Sequence, residues 1–320
     1  MTSIDPSKVS LVTVTENNDG QRIDNFLLSV MRKVPKALVY RIIRKGEVRV
    51  NKKRVKAETR LAAGDLVRIP PVRLPQEQAV AQAPAGLREA LSSAIVYEDD
   101  GLLAVNKPSG LAVHGGSGVN LGLIESLRQM YPAQPFLELV HRLDRDTSGI
   151  ILVAKKRQVL VALQRMLTNK SGIKKRYLAM VHGRWPQPVR EVQAPLKKME
   201  RQSGERIMLV DAEGKVSHTR FKLISTGSCY SLVEAEPVTG RTHQIRVHSQ
   251  FQGHPIAGDE KYCDKAQEGV DKQRGVKRLM LHALRLEFRH PVSGEFLNLL
   301  AVPDQEFQRR LELEGCNFEI

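Results

Sequence analysis

Residues 70–85 divide the sequence into two parts. The stretch contains four prolines and several Ala and Gln residues, with weak hydrophobic periodicity and few bulky apolar side chains. Because proline lacks the backbone donor and fixes φ, such a stretch favours a linker over a helix or a central strand. We therefore predict a first domain in residues 1–70 with its core at 20–70, a linker over 71–92, and a larger domain over 93–320.

The two parts differ in charge. The chain carries 50 Lys and Arg against 35 Asp and Glu, a formal net charge of +15. Residues 20–70 alone hold 14 Lys and Arg against 4 Asp and Glu, so two thirds of the excess charge lies in 51 residues. A basic region this localised predicts a polyanionic partner such as a nucleic acid.

Composition excludes several classes of protein. With 41% apolar residues the chain can bury a sizeable core. Its longest apolar run, Ile150 to Ala154, is far shorter than the roughly 18 residues that a membrane span requires. The polar start lacks the hydrophobic segment of a signal peptide, so we expect a cytoplasmic protein. The three cysteines are widely spaced and form no C-x-x-C pair, so we expect neither a disulfide framework nor a metal cluster.

The basic region has the pattern of a small α+β domain. Apolar residues recur at helical spacing over 23–30 and 36–45, and short strands are predicted at 48–50 and 66–69. Each helix can therefore bury one face. The cations outside the buried faces form a predicted phosphate-binding patch of Arg32, Lys33, Lys36, Arg41, Arg44, Lys45, Lys52, Lys53 and Arg54.

The larger part mixes helices with strands that are predicted to be mostly antiparallel. A turn at Asp99-Asp100-Gly101 joins two apolar runs and predicts a hairpin. The predicted elements are, in chain order, strands 94–98 and 102–106, a buried strand 149–154, a helix 158–169 and a strand 230–238. The predicted fold class is therefore α+β.

Three segments carry candidate functional residues, and the first is His141–Gly149. It packs two arginines and two aspartates into six residues, directly before the buried strand. Guanidinium groups beside a carboxylate can hold it ionised and oriented, as nucleophilic or general-base catalysis requires. A solvated loop with local ion pairs explains the same pattern, and spacing alone favours that interpretation.

The second segment, Gly240–His248, alternates polar and apolar residues after a glycine. This pattern predicts a strand with Thr242, Gln244, Arg246 and His248 on one face, which would present Arg246 to a carboxylate. His243 would lie on the other face from His248, so we expect structural histidines and no shared metal.

The third segment, Lys174–Val181, places a basic triplet before Tyr177 at the start of a strand. Cations can bind phosphate while an aromatic ring stacks on an unpaired base. A single tyrosine of this kind is more often a core or edge residue, so Tyr177 is a candidate for base stacking only in combination with the other two segments.

Together these segments resemble the RluA-type pseudouridine synthases, which modify ribosomal or transfer RNA. The match runs in chain order through Asn106–Gly110, His141–Gly149, Arg176-Tyr177, Gly240–His248 and Leu281–Ala283. It spans about residues 94–300, and His-Arg-Leu-Asp-x-x-Thr-Ser-Gly is its most specific part. The resemblance implies a mixed, mostly antiparallel catalytic domain of the pseudouridine synthase type.

The basic region resembles the alpha-L RNA-binding domain typified by a small-subunit ribosomal protein, through Arg22–Asp24, Lys45–Asn51 and Ala63–Asp65. Lys52 departs from the glycine that usually follows Asn in this turn, which costs strain if the position needs a positive φ. Such a domain ahead of the catalytic domain is similar to the family members that act on large-subunit ribosomal RNA. The resemblance implies ribosomal RNA as the partner and no metal or nucleotide cofactor. Nothing in the sequence requires more than a monomer, so we expect a monomer.

The resemblance also implies a role for each candidate residue. Asp144 would be the essential carboxylate, acting as a nucleophile or by abstracting a sugar proton. Tyr177 would stack on the target base and accept the proton of carbon 5, and Arg246 would pair with Asp144. Arg142 would fill the space that the flipped uridine leaves. Five further residues are expected to bind the substrate, namely Asn106, Lys107, Arg241, Gln244 and Leu281.

Two alternatives remain open from the residues themselves. A non-catalytic RNA-binding assembly protein would use only the basic domain and would tolerate the loss of Asp144. A metal-dependent nuclease would hold Mg²⁺ with Asp144, Asp146 and Asp259, although the neighbouring arginines would compete with the cation. Asp146 also competes with Asp144 for the catalytic role, because it lies two residues on and could face the same way.

Overall fold

The structure is a computed structural model that describes residues 8–31, 34–72, 82–115, 121–201 and 205–318. The chain divides into two compact units, Met1–Ala79 and Val80–Ile320. Among the described residues, no helix is long and apolar enough to cross a membrane.

Over its described residues, the first unit contains an antiparallel sheet, two α-helices and a short 3-10 helix. Its elements are β1 (Ser10–Thr13), a 3-10 helix (Glu16–Asn18), α1 (Ile23–Val30), α2 (Lys36–Arg44), β2 (Arg49–Val50), β3 (Lys53–Arg54) and β4 (Leu66–Ile69). The strands lie in the order β1-β4-β2-β3. Both helices bury their apolar faces in one core, which confirms the helices and the last strand predicted from periodicity.

The turn between β2 and β3 has the positive φ values for which lysine is less suited than the glycine usual at position 52. Asn51 and Lys52 have φ values of 49° and 65°, in the left-handed region. The Asn51 side chain compensates by donating to Asp65 at 2.7 Å and accepting from the Leu66 N–H at 2.9 Å. The side chain of Lys52 is consequently carried outward at the tip of a rigid turn.

The second unit contains one large sheet, a separate two-stranded ribbon and six helices among the described residues. Its elements are α3 (Ala85–Ser93), β5 (Ile95–Glu98), β6 (Leu102–Lys107), α4 (Leu123–Met130), β7 (Glu138–Leu139), β8 (Ser148–Ala154), α5 (Arg157–Asn169), β9 (Ile173–His182), β10 (Glu191–Gln193), β11 (Leu196–Glu200), β12 (Arg206–Val210), β13 (His218–Thr226), β14 (Tyr230–Pro237), α6 (Gln244–Phe251), α7 (Lys265–Arg274), β15 (Leu281–Arg289), β16 (Phe296–Leu300) and α8 (Gln305–Glu314).

Helix α3 lies in the stretch predicted as a linker, so that prediction is wrong for residues 85–92. Pro84 precedes the helix, where its missing N–H removes no helical hydrogen bond. Leu91 is fully buried, and Leu87 packs against the same core. The helix buries so little else that its sequence carries only weak periodicity.

The large sheet has the strand order β10-β13-β14-β9-β15-β8-β6-β5, with β16 also paired to β15 and β7 to β8. All of these pairs are antiparallel except β15 with β8. This confirms the predicted α+β class with mostly antiparallel strands. The hairpin of β5 and β6, the buried strand β8, helix α5 and strand β14 also lie where the sequence predicted them.

The junction of β8, β15 and β9 brings the first and third candidate segments near each other. Ala283 of β15 pairs with Gly149 of β8 on one side and with Tyr177 of β9 on the other. Gly149 has a φ of 107°, and a Cβ there would overlap the backbone of Ala283, so only glycine permits this close approach. The loop that precedes β8 therefore ends level with Tyr177, with only β15 between them.

Candidate active site

The loop between β7 and β8 carries Asp144 and is held from beneath by a buried lysine. The Lys107 ammonium donates to the carbonyls of Pro108, Leu111 and Arg145, each at 2.9 Å. Burial lowers the pKa of Lys107 to about 7, while the three carbonyls stabilise its charged form. Lys107 thus ties the loop to the end of β6.

A cleft of about 1310 Å³ opens beside this loop. It is large enough for more than one nucleotide-sized group, since whole drug-sized ligands occupy roughly 300–1,000 Å³. Seven of the predicted site residues line it, namely Arg142, Asp144, Tyr177, Arg241, Gln244, Arg246 and Leu281. The three segments that are distant in the sequence therefore form one site.

Arg246 is the central cation of the site. It is almost fully buried and donates to Asp259 through Nε and Nη2, both at 2.7 Å. Its remaining nitrogen, Nη1, donates to Asp144 Oδ2 at 3.3 Å. Burial alone would lower the pKa of Arg246, but the hydrogen bonds and charge of Asp259, with the charge of Asp144, raise it further above its usual range. The guanidinium is therefore a permanent positive partner for Asp144.

The segment that carries Arg246 is a helix, so the predicted strand over residues 240–248 is wrong. Residues 244–249 are all buried, which removes the distinction between polar and apolar faces on which the prediction depended. Gln244 stabilises the start of the helix: its Oε1 accepts from the Arg241 N–H at 3.1 Å and from Thr239 Oγ1 at 2.6 Å. In a helix Arg246 shares a face with His243, three residues earlier, and not with Gln244 or His248.

Tyr177 and Lys175 contribute an aromatic ring and a cation to the cleft. Burial and then the charge of Asp144 raise the pKa of Tyr177, so its phenol keeps its proton at neutral pH. Burial lowers the pKa of Lys175. No described residue forms an ion pair with Lys175, which leaves its charge available to a ligand.

Comparison with known proteins agrees with this site. Residues 101–251 match the family model described as RNA pseudouridylate synthase, and residues 21–67 match the S4 domain. Ribosomal large subunit pseudouridine synthase C of Escherichia coli (strain K12) is 53% identical over 307 residues, which cover 95% of this chain and 96% of that protein. The chain belongs to the RNA pseudouridylate synthase family. The protein of the same name from Haemophilus influenzae is 51% identical over 310 residues, with 96% and 95% covered.

Two solved structures support the same pseudouridylate synthase fold. Human RNA Pseudouridylate Synthase Domain Containing 4 is 27% identical with a TM-score of 0.57, over 71% of this chain and 95% of that one. Human RNA Pseudouridylate Synthase Domain Containing 1 is 27% identical with a TM-score of 0.58, over 73% of this chain and 90% of that one. The family identifies the chain as an isomerase that acts on RNA, and the S4 domain confirms the predicted alpha-L type RNA-binding domain.

Two of the predicted substrate-binding residues of this synthase do not line the cleft. Asn106 donates to the Val302 carbonyl at 2.8 Å, and Lys107 is fully buried beneath the loop. A third, Gln244, lines the cleft but uses its amide to stabilise α6, with Nε2 donating to the His218 carbonyl at 2.9 Å. Lys107 thus stabilises the loop that carries Asp144, and Gln244 the helix that carries Arg246, whereas Asn106 binds the chain after β16.

The predicted phosphate-binding patch of the synthase lies on the S4 domain. Arg32 and Lys33 fall outside the described residues. The other seven, Lys36, Arg41, Arg44, Lys45, Lys52, Lys53 and Arg54, are all exposed. Arg54 folds back to donate to the Lys45 carbonyl at 3.0 Å, and Lys45 lies 4.0 Å from Glu47, so the remaining five are the cations least engaged by the protein itself.

Of the three carboxylates of the nuclease hypothesis, Asp144 and Asp259 both pair with Arg246. Asp259 is occupied by Arg246, and Asp146 is half-exposed beside Arg145 Nε at 3.0 Å. Asp144 lines the cleft and Asp146 does not, which favours Asp144 as the carboxylate that meets a substrate.

Among the described residues, the one group with metal-ligand chemistry is His182, Cys263 and Asp271. Its atoms already bond to protein groups. Tyr230 donates to Asp271 Oδ1 at 2.7 Å and the Gly258 N–H to Oδ2 at 2.8 Å, while burial raises the pKa of Cys263 to about 12. These contacts engage both oxygens of Asp271 within the protein.

Sequence reasoning missed the roles of Asp259 and Tyr262. Asp259 was considered only as a metal ligand, whereas it orients Arg246. Tyr262 packs under the Arg246 guanidinium, 5.1 Å from the ring centroid, and contacts His243. No local pattern marks either residue, because these partners, Arg246 and His243, lie thirteen to nineteen positions earlier in the chain.

Proposed function

We propose that this synthase converts specific uridines of large-subunit ribosomal RNA to pseudouridine, with Asp144 as its catalytic carboxylate. The observation that carries the proposal is the pairing of Asp144 with Arg246 at the wall of a cleft that also holds Tyr177. The names of the relatives support ribosomal RNA of the large subunit as the substrate. The basic S4 domain supplies a surface suited to phosphate.

The reaction breaks the bond from nitrogen 1 of uracil to carbon 1′ of the ribose, rotates the base, and joins carbon 5 to carbon 1′. The proton on carbon 5 is then lost and nitrogen 1 gains one, so no electrons or phosphoryl groups are transferred. This balance requires no redox or nucleotide cofactor.

Asp144 is suited to begin this reaction because only one of its oxygens is engaged. Arg246 donates to Oδ2, while Oδ1 accepts no hydrogen bond from any described residue. Both routes that the family resemblance allows, attack on the sugar or abstraction of a sugar proton, need an ionised carboxylate with one open oxygen. We assign that role to Oδ1.

The other side chains of the cleft fit a nucleotide that has left its helix. The ring of Tyr177 offers a stacking surface for the uracil, and Lys175 with the exposed Arg241 offers charge to its phosphates. Arg142 is exposed at the cleft beside Asp144 and would enter the space that the uridine vacates. All of these groups come from one chain, which supports a monomer. The ribosomal RNA named for the relatives supports action in the cytoplasm.

Two matched substitutions in one loop test the proposal. Asp144→Asn removes the carboxylate, whereas Asp146→Asn makes the same chemical change two residues away, outside the cleft. Single-turnover pseudouridine formation on a large-subunit ribosomal RNA transcript should fall at least about 10⁴-fold with Asp144→Asn and less than about threefold with Asp146→Asn. RNA affinity should stay within a few fold for both, because the S4 domain supplies most phosphate contacts.

Retained turnover by Asp144→Asn would overturn the catalytic assignment and favour the non-catalytic assembly protein. Pseudouridine maps of total RNA from cells with and without the protein then test the substrate. Sites that disappear from transfer RNA alone would contradict the large-subunit assignment.

A further inference from the structure

His243 lies between Asp144 and Tyr262. Its Nδ1 is 2.7 Å from the Tyr262 hydroxyl, and its Nε2 is 3.7 Å from Asp144 Oδ2. The imidazole and the Tyr262 ring pack edge to face, with centroids 5.6 Å apart and an interplanar angle of 81°. Two polar contacts and one ring contact thus determine the orientation of the imidazole.

The position of the single imidazole proton follows from the partners of Tyr262. The Tyr262 hydroxyl accepts the Met208 N–H at 3.0 Å, and His243 Nδ1 is its other described partner. Burial raises the pKa of Tyr262 to about 12, so the hydroxyl keeps its proton and can donate it to Nδ1. Burial also lowers the pKa of His243 although Asp144 opposes this, so the ring is neutral. A neutral ring that accepts at Nδ1 carries its proton on Nε2, the nitrogen that faces Asp144.

We propose that His243 is a positioning residue that donates Nε2–H to Asp144 Oδ2, with Tyr262 fixing the tautomer that makes this possible. The inference rests on the proposed function, since it concerns the same carboxylate. The distance of 3.7 Å exceeds a hydrogen bond, and such contacts in a free enzyme commonly shorten when the substrate binds. Arg246 and His243 then both engage Oδ2, which leaves Oδ1 as the oxygen that meets the sugar.

The backbone conformation of His243 also supports a functional role for its imidazole. His243 has φ 52° and ψ 20°, a left-handed conformation immediately before α6. Asparagine or glycine would adopt this conformation at lower cost. Strained residues of this kind concentrate at functional sites. Tyr262 also lies under the Arg246 guanidinium, so one tyrosine packs against both groups that approach Asp144 Oδ2.

Two amide substitutions distinguish the effect of the Nε2–H donor from the effect of the backbone conformation. His243→Gln places an amide N–H near the position of Nε2, whereas His243→Asn places it near Nδ1 and suits the left-handed backbone better. We expect His243→Gln to keep the single-turnover rate within about threefold and His243→Asn to lose about 10- to 100-fold, the range for a hydrogen bond to a charged group. RNA affinity should be unchanged in both. A merely structural histidine would give the opposite order, with Asn tolerated better than Gln.

The tautomer is tested directly by two-bond ¹H–¹⁵N correlation spectra of the imidazole at neutral pH, with the His243→Asn spectrum identifying its signals. The expected result is the Nε2–H form in the wild type and a mixture of tautomers in Tyr262→Phe, which keeps the ring but loses the hydroxyl. An Nδ1–H form in the wild type, or equal rates for the Asn and Gln variants, would overturn the inference. Wild-type turnover in the same assay shows that the proposed function holds, whereas its absence would contradict that function and not the role of His243.

Discussion

Arg246 forms a bidentate ion pair with Asp259, in which Nε and Nη2 each lie 2.7 Å from a different carboxylate oxygen. A planar guanidinium held at two points cannot rotate, so the direction of its third nitrogen is determined by Asp259. That nitrogen is the one that reaches Asp144. The contact that Arg246 makes with Asp144 therefore depends on a second carboxylate, Asp259, which does not line the cleft.

Asp259→Asn should consequently slow the reaction without weakening RNA binding. An amide accepts through one oxygen only, so Arg246 would lose one of its two hydrogen bonds to residue 259. Its third nitrogen would then be oriented less firmly towards Asp144. We expect the single-turnover rate to fall about 10- to 100-fold, with the dissociation constant for RNA within threefold. Breaking a buried pair also costs about 3–5 kcal/mol of stability, so the rate should be measured well below the unfolding transition. An unchanged rate in the folded variant would mean that Arg246 is oriented by other contacts.

Tyr177 should contribute its ring and its hydroxyl to different steps. Burial and Asp144 raise the pKa of Tyr177, so its phenol is protonated at neutral pH. The phenol can therefore accept the carbon 5 proton only if it releases its own proton in the same step. Tyr177→Phe should therefore retain RNA affinity but lower turnover at least about 100-fold. Tyr177→Leu should in addition weaken binding of a short single-stranded RNA by about 1–3 kcal/mol, the contribution of one stacked base. Equal affinities for the two variants would exclude stacking on Tyr177.

Local patterns in the sequence were sufficient for much of the fold. Helix α1 and strand β4 have the bounds that periodicity predicted, because each has one apolar face against a single core. Helix α6 lacks such a face, because every residue over 244–249 is buried, and its sequence fits the two-residue period of a strand equally well. Helix α3 was missed for the opposite reason, because it buries too little to create a pattern.

The site was predictable only as far as its residues occur in recognisable segments. Asp144, Tyr177 and Arg246 belong to such segments, and the structure brings all three to one cleft. Asp259 and Tyr262 belong to no such segment. Their roles come from their contacts with Arg246, which exist only once α6 has packed against them. Asn106 and Lys107 belong to a recognisable segment too, but Asn106 donates to the Val302 carbonyl and Lys107 holds the loop from beneath, so neither side chain lines the cleft.

The exposed cations of α2 should determine how RNA binding responds to salt. Replacing Lys36, Arg41 and Arg44 with Gln should lower the slope of log affinity against log salt by about 2, since each phosphate contact contributes roughly 0.7–0.9. The same change at Lys265, Lys272 and Lys277, which are exposed in the second unit, is the matched control and should leave the slope almost unaltered. Deleting residues 1–80 should weaken binding and flatten the slope further. Equal slopes for the two triple variants would show that the S4 domain is not the main phosphate-binding surface.

The buried His282 should make the catalytic domain less stable in mild acid. Its Nε2–H donates to the Ala301 carbonyl at 2.8 Å, and its Nδ1 lies 2.8 Å from Ser148 Oγ at the junction of β8 and β15. Burial lowers the pKa of His282 to about 4, below the usual value of 6.5.

Because the unfolded chain binds a proton more readily than the folded one between these two values, stability should fall as the pH falls from about 6.5 towards 4. For His282 the loss between pH 7 and pH 5 is about 2 kcal/mol. Urea unfolding at pH 5, 6 and 7 measures this loss. His282→Gln cannot titrate but can still donate to Ala301, so its free energy of unfolding should fall by about 2 kcal/mol less than that of the wild type between pH 7 and pH 5. An identical slope in the variant would mean that His282 is protonated in the folded protein and that the strand junction tolerates the charge.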